Sequence, residues 1–444
     1  MQIIRSALFA AASLAACGSP DRATDQPATL SQIVPGELEV GVMFGEGAPL
    51  FDLVKTVGDG LEQDFPGTEV TYTFNNTAAR PAIETRMLAG DPLDVDFIFE
   101  GMDPRTHDWI DGGYIVDLTE VMRATRTDST AWQDDFLPLF RPSMQYNGKI
   151  YGAPEQVVIH LLHYNKGLLD EWGLAPPRTW EELLRLCEVI QAKGVAPIAV
   201  SGQVNFYVGM WFDHLSQQLV GADAVAEYLY GDSDASLFDD PGFLEAAQRM
   251  DELRRRGFLI EGWEGTDFTT TQLYFFQRRA VMILMGSWLM TEMKASIPPG
   301  FELAVAPFPK VRGGVAEPAI FGRVLSWSIP TRTRVPGLAL EFLRRITSRA
   351  ASAERARVLG AISPVRGVPA PPEVNGIEAV LQDAESAEFI LYNYGTISAR
   401  FGLAAAWYDP LVAMWLGRLT PREALSAIDE NLTAVRAQRA TTAR

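Results

Sequence analysis

The side chains of this 444-residue chain that could do chemistry are thinly spread, and the arrangements that would make a catalyst or a metal centre fail on spacing. His160 and His163 have the His-x-x-His interval, but they lie in the apolar run Val157 to Tyr164, which reads as a strand. Residues three apart on a strand point to opposite faces, so the pair does not converge on one ion. Asp232-Ser233-Asp234 begins like a calcium loop, yet Leu237 stands where that loop needs glycine and Phe243 where it closes on glutamate. Gly45-Glu46-Gly47 lacks the third glycine of a dinucleotide fingerprint. Glu181-Glu182 and Asp239-Asp240 are neighbouring acids rather than acids opposed across a cleft, although a pair assembled in three dimensions stays open at this point. No metal, no cofactor and no catalytic residue is assigned.

What the polar candidates share is position. Ligands of open α/β sheets sit outside the carboxyl ends of the strands. Glu46 follows the first strand, Asn75 and Asn76 the second, and Glu100 and Asp103 the third. Glu155 and Gln156 follow Pro154, while Asn205, Phe206 and Tyr207 open a helix. Arg323 reads as part of a turn before a strand, where its guanidinium would clamp hydroxyls or a carboxylate. Loops are polar in any case, so the set carries more weight than any member.

The elements that must hold these residues alternate. Leu38 to Phe44 reads as a strand, Leu50 to Phe65 as a helix, Glu69 to Phe74 as a strand, Pro81 to Ala89 as a helix and Val95 to Phe99 as a strand. That order indicates parallel α/β layers. Next come the tight turn Asn147-Gly148 and a short extended segment that Pro154 should stop. After the strand to Tyr164, Pro176-Pro177 breaks the chain, and Thr179 with Glu182 forms a capping box for an amphipathic helix through Ile190. Further helices are expected near Phe206 to Leu219, Gly242 to Arg256, Thr271 to Arg278 and Val335 to Ser348. Strands are expected at Ala280 to Met285, Glu302 to Ala306 and Ser326 to Ile329, and a mostly helical tail from Phe401 to Val435.

Composition sets the setting. A chain of this length with 47% hydrophobic residues can bury more than one core. The formal net charge of −18 argues against nucleic acid as a partner, because phosphate neutralisation needs clustered Lys and Arg. At the amino terminus Arg5, the apolar stretch Ala7 to Ala16 and Leu14-Ala15-Ala16-Cys17 read as a secretory signal ending at a lipoprotein processing site. Residues 1–16 would be removed and Cys17 lipidated, with 17–36 as a polar tether. The only membrane contact expected is that lipid. Cys187 then has no partner and is expected as a free, buried thiol.

One run ties these features together. Asn147-Gly148-Lys149-Ile150-Tyr151-Gly152-Ala153-Pro154, Tyr164-Asn165-Lys166, Gly173-Leu174 and Pro176-Pro177-Arg178-Thr179-Trp180-Glu181-Glu182-Leu183 resemble the extracellular solute-binding proteins of bacterial sugar ABC importers, the maltose-binding protein group. Trp109 to Thr119 and the block from Phe276 to Gly286-Ser287-Trp288 are similar to further family segments, and Gly360 to Pro364 to a weaker one. Gln277-Arg278-Arg279 and Phe321-Gly322-Arg323 depart from the family pattern. The resemblance implies a two-lobe α/β periplasmic-binding fold with a ligand cleft. The first lobe would comprise 37–153 and 310–361 and the second 157–304 and 365–440, with crossings near 153–157, 304–309 and 362–368. It also implies that Trp288 and Trp407 stack on a sugar ring and that Asp103 is an acidic ligand residue. The implied role is that of a monomeric, non-enzymatic protein at the periplasm or cell surface, which captures a sugar or similar polar solute for ABC permease subunits. A secreted carbohydrate-active enzyme and a ligand-sensing receptor subunit remain as alternatives at this point.

Overall fold

Two hydrophobic cores organise the chain, and one long strand belongs to both. The computed structural model describes residues 30, 32–76, 79–98, 104–126, 129–231, 235–315, 321–371, 376–377, 390–391 and 402–442. The signal segment, Cys17 and most of the tether fall outside them, as do Glu100, Asp103 and Asp232 to Asp234.

The strands are β1 (Glu37–Val42), β2 (Glu69–Phe74), β3 (Asp96–Ile98), β4 (Gln145–Tyr146), β5 (Lys149–Ile150) and β6 (Ala153–Asn165). They continue with β7 (Ala196–Ala199), β8 (Ala280–Gly286), β9 (Leu303–Ala306), β10 (Phe321–Ser328) and β11 (Ile390–Leu391). β1 and β2 run parallel, from Glu37 opposite Glu69 to Val42 opposite Phe74. They alternate with the helices Pro49–Asp64 and Arg80–Ala89, as the apolar spacing predicts. Leu38, Val40, Val54, Leu61 and Phe97 form the first core with Trp327 and Phe342 from much later in the chain. The second core gathers Leu161, Leu183, Trp211, Phe243, Met282 and Trp415.

The passage between the cores is made of strand. Ala153 and Val158 of β6 face the first core, and Val157, Ile159, Leu161 and Leu162 face the second. β10 runs antiparallel to β6 from Gly322 opposite Ile159 to Trp327 opposite Ala153, and it too serves both cores. Pro154 therefore does not end an extended segment; it lies inside β6. It is tolerated because the β6–β10 register shifts between Leu325 and Ser326, and Pro154 faces Ser326 at that irregularity. Arg323 likewise lies within β10 rather than in a turn before it. A third segment follows the same route, with Val157 N–H donating to Ile362 O at 2.9 Å.

The parallel order expected over residues 38–99 forms, with β1 parallel to β2 and Val40 bridging Val95 in parallel, while the later strands are mixed. β7–β8 and β10–β11 are parallel, but β6 is antiparallel to β8, β9 and β10, and β3 to β10. β10, which returns between the cores, runs against β6, which left. Elsewhere the local signals hold. The Thr179 hydroxyl accepts from Glu182 N–H and the Glu182 carboxylate from Thr179 N–H, both at 3.3 Å, opening the helix Trp180–Ala192. That helix buries Trp180, Leu183, Leu186, Cys187 and Ile190 along one stripe. Cys187 is free, and burial pushes its thiol well above the ordinary range. The tail forms helices Leu403–Trp415 and Pro421–Thr442. Among the described residues no helix is long and apolar enough to cross a membrane.

Candidate solute-binding site

Gly286-Ser287-Trp288 is a small structural device at the end of β8. Ser287 N–H donates to Ile159 O at 2.7 Å, and Ile159 N–H donates to the Ser287 hydroxyl at 3.2 Å, pinning the turn to β6. A Cβ on Gly286 would lie 1.9 Å from the Trp288 ring, so only glycine lets the indole fold back over the strand. Trp288 is half-buried and packs against both hydrophobic cores. Of the two tryptophans expected to stack on a sugar, it alone stands between the cores with an indole surface still accessible.

Around it the second-core side supplies more rings. His160, opposite Gly286 across the β6–β8 pair, meets Trp288 edge-on with ring centres 5.6 Å apart. Phe206 lies 5.7 Å from His160 and 5.5 Å from Tyr207. Both Phe206 and Tyr207 come from the helix Asn205–Val220. Burial, then the charge of Glu292, pushes the Tyr207 phenol up, while burial and then the nearby Arg323 cation hold His160 down at about 3. His160 is thus a neutral ring at ordinary pH. Arg323 is half-buried on β10, and Gln272 donates to the Glu292 carboxylate at 2.8 Å. Trp288, Phe206 and Arg323 are the half-buried members of this group, while His160, Tyr207 and Gln272 are buried behind them. Flat rings cover C–H faces and such polar groups bond hydroxyls. Sequence reasoning weighs His160 only as a metal ligand, and it misses Gln272 and Glu292.

The first-core candidates are placed less uniformly. Glu46 is exposed in the turn after β1. Asn75 is buried, donating to Asp96 at 2.5 Å, and Arg80 joins Asp96 at 2.9 Å, so Asn75 braces the strand ends. The Asn76 side chain accepts from Ala79 N–H at 3.0 Å at the entry to the helix Arg80–Ala89. Gln156 is half-buried on β6, opposite Leu325.

Two candidates need correction. Trp407 is 1% exposed in the second core. Its indole N–H donates to Asp213 at 2.9 Å, and the Tyr408 hydroxyl donates to the other oxygen of the same buried carboxylate at 2.9 Å. Burial raises the Asp213 carboxyl strongly, and these two donors are what oppose it. Trp407 satisfies a buried acid and presents no face to a ligand. Glu155 is also buried, inside β6, and pairs with Arg355 at 2.8 Å. Desolvation pushes its carboxyl up against the pull of that guanidinium.

Comparison with known proteins bears on the family and the fold. The multiple sugar-binding protein of Streptococcus mutans is 26% identical over 328 residues, covering 73% of this chain and 75% of that protein. The diacetylchitobiose-binding protein of Streptomyces coelicolor is 22% identical over 80% of this chain and 76% of its own length. Among solved structures, the solute-binding protein RafE in complex with raffinose is 21% identical, covers 90% of this chain and 99% of that one, and superposes with a TM-score of 0.71. A Bacillus licheniformis sugar transporter in complex with stachyose is 17% identical, covers 90% and 100%, and gives 0.67. These similarities show the two-lobe periplasmic binding fold. Residues 47–353, most of the chain and including both strands that pass between the cores, match one family along their length. The chain belongs to the bacterial extracellular solute-binding protein family.

Proposed function

We propose that this protein captures a sugar or a similar polar solute outside the cytoplasm and delivers it to the permease of an ABC importer. The observation that carries the reading is Trp288, half-buried and packed against both cores, with His160, Phe206, Tyr207 and Arg323 around it. A solute stacked there reaches groups from both sides of the passage. A ligand drives closure only through contacts that the open form cannot make. Trp288, Phe206 and Arg323 would supply one part of that difference, and Glu46, Asn76, Glu100, Asp103 and Gln156 the other. The relatives compared above are sugar-binding and diacetylchitobiose-binding proteins, which favours a saccharide ligand.

The lobes in this reading are 37–153 with 310–361 and 157–304 with 365–440, and the antiparallel β6–β10 pair is the principal crossing. Leu14-Ala15-Ala16-Cys17 supports lipid anchoring at Cys17. The working form is a monomer at the periplasmic or outer face of a membrane. A thermal-shift screen over mono- and oligosaccharides, polyols and small acids tests the reading. A true ligand at about 100 times its dissociation constant stabilises by about 2.7 kcal/mol. A response confined to small acids would remove the sugar assignment.

A further inference from the structure

A cavity of about 760 Å³ opens elsewhere, on the first-core side, and shares no lining residue with the group around Trp288. Trp132, Val121 and Val365 are its apolar lining; Arg126, Arg344, Arg349 and Arg366 bring positive charge. The two aspartates that also line it are engaged. Asp135 pairs with Arg126 at 2.7 Å, and Asp134 pairs with Arg141 at 3.2 Å while accepting from Ala131 N–H at 2.9 Å.

The other three arginines differ from their neighbours. Arg345 pairs with Asp64 at 2.8 Å and Glu341 at 2.9 Å, whereas the adjacent Arg344 turns over the Trp132 ring, 5.8 Å from its centre. On the helix Arg349–Leu359, Arg355 pairs with Glu155 and Arg357 with Glu354, whereas Arg349 lies against Gly367. Arg366 donates to a backbone oxygen, Asp134 O, at 3.4 Å. Among the described residues no carboxylate pairs with Arg344, Arg349 or Arg366. Grouping uncompensated cations in a concave wall is unfavourable unless an anion joins them, and the more notable in a chain of net charge −18.

We propose that this cavity binds a small organic anion bearing at least two oxyanion groups, a phosphate ester or a polycarboxylate. Guanidinium forks match both groups bidentately. The volume lies within the roughly 300–1,000 Å³ of small-molecule sites, and the apolar lining suits a carbon body between the charged ends. An acidic segment of a protein partner would be a different occupant, and the test separates it.

Protein lacking residues 1–16 and carrying Cys17→Ala, so that it is not lipidated, is titrated calorimetrically with citrate and, separately, with inorganic pyrophosphate, at ionic strength held constant with sodium chloride. Saturable one-to-one binding of at least one probe is expected. It should weaken by at least about tenfold, or about 1.4 kcal/mol, in the Arg344→Ala/Arg349→Ala/Arg366→Ala variant. All three side chains are exposed, so an unchanged melting temperature should accompany the loss. The exposed Arg312→Ala should bind as the wild type does. No saturable binding of either probe at millimolar concentration overturns the proposal, leaving the patch to a larger acidic partner. Equal binding by the triple variant, or equal loss in Arg312→Ala, overturns it as well.

Discussion

Replacing Arg355 by methionine should be among the most damaging single changes outside the binding site. The Arg355 guanidinium and the Glu155 carboxylate are both essentially removed from solvent and meet at 2.8 Å. Arg355 also donates to Glu155 O at 3.2 Å and to Ile346 O at 3.3 Å. One side chain therefore ties β6, where it passes between the cores, to the end of the helix Pro336–Ile346. Methionine fills much of the volume but leaves the carboxylate and two carbonyls without their cation. Breaking a buried pair from one side costs about 3–5 kcal/mol. Replacing both partners, as Glu155→Gln with Arg355→Met, removes the stranded charge, so the double variant should recover most of that loss. Urea unfolding of the wild type, the two single variants and the double variant measures the cycle. If Arg355→Met costs less than about 1 kcal/mol, or if the double variant is no better than the single, the pair does not fasten the crossing.

Three further outcomes are expected. Trp288→Ala should weaken ligand binding by roughly 2–4 kcal/mol, as loss of a large aromatic anchor does; a stability loss of about 3–5 kcal/mol with unchanged affinity would mark it as core instead. His163, fully buried, is held by desolvation at about 4, so between pH 7 and 5 the unfolded chain takes up a proton that the folded chain refuses. Stability is lost as pH falls through the unfolded value near 6.5, and the difference between wild type and His163→Gln should shrink by about 2 kcal/mol over that interval in paired urea titrations. Cys17→Ala should release the protein from membranes with binding intact, and a fractionation assay that still finds it membrane-bound would refute the lipid assignment.

Much of the fold is legible where one local signal decides the outcome. The Thr179 capping box, the apolar run into Tyr164 and the Gly286-Ser287-Trp288 turn all form where their residues require. What cannot be read locally is set by partners distant in sequence. Pro154 looks like a terminator until Ser326 and its register shift stand opposite it. Trp407 looks like a stacking residue until Asp213, far earlier in the chain, claims its N–H. Gly209 admits the Tyr408 ring in the same assembly, a Cβ there falling 1.9 Å from it. Glu155 looks like a loop acid until Arg355 closes on it. Trp288 is expected at the candidate site only through the resemblance of Gly286-Ser287-Trp288, and Phe206 and Tyr207 only as the opening of a helix. Rings also stand at other element starts, such as Trp132, Trp180, Trp263 and Phe268, so position alone does not single these three out. The polar part of the site depends on which side chains the antiparallel β6–β10 pairing brings round, and no local pattern encodes that.

In the proposed role this chain binds a saccharide without transforming it. Isothermal titration with the saccharide that emerges from the thermal-shift screen, followed by chromatographic recovery of that saccharide, tests it most directly. Saturable one-to-one binding and recovery of the ligand unchanged are expected. Absence of saturable binding across the saccharides, or recovery of cleaved product, would contradict it.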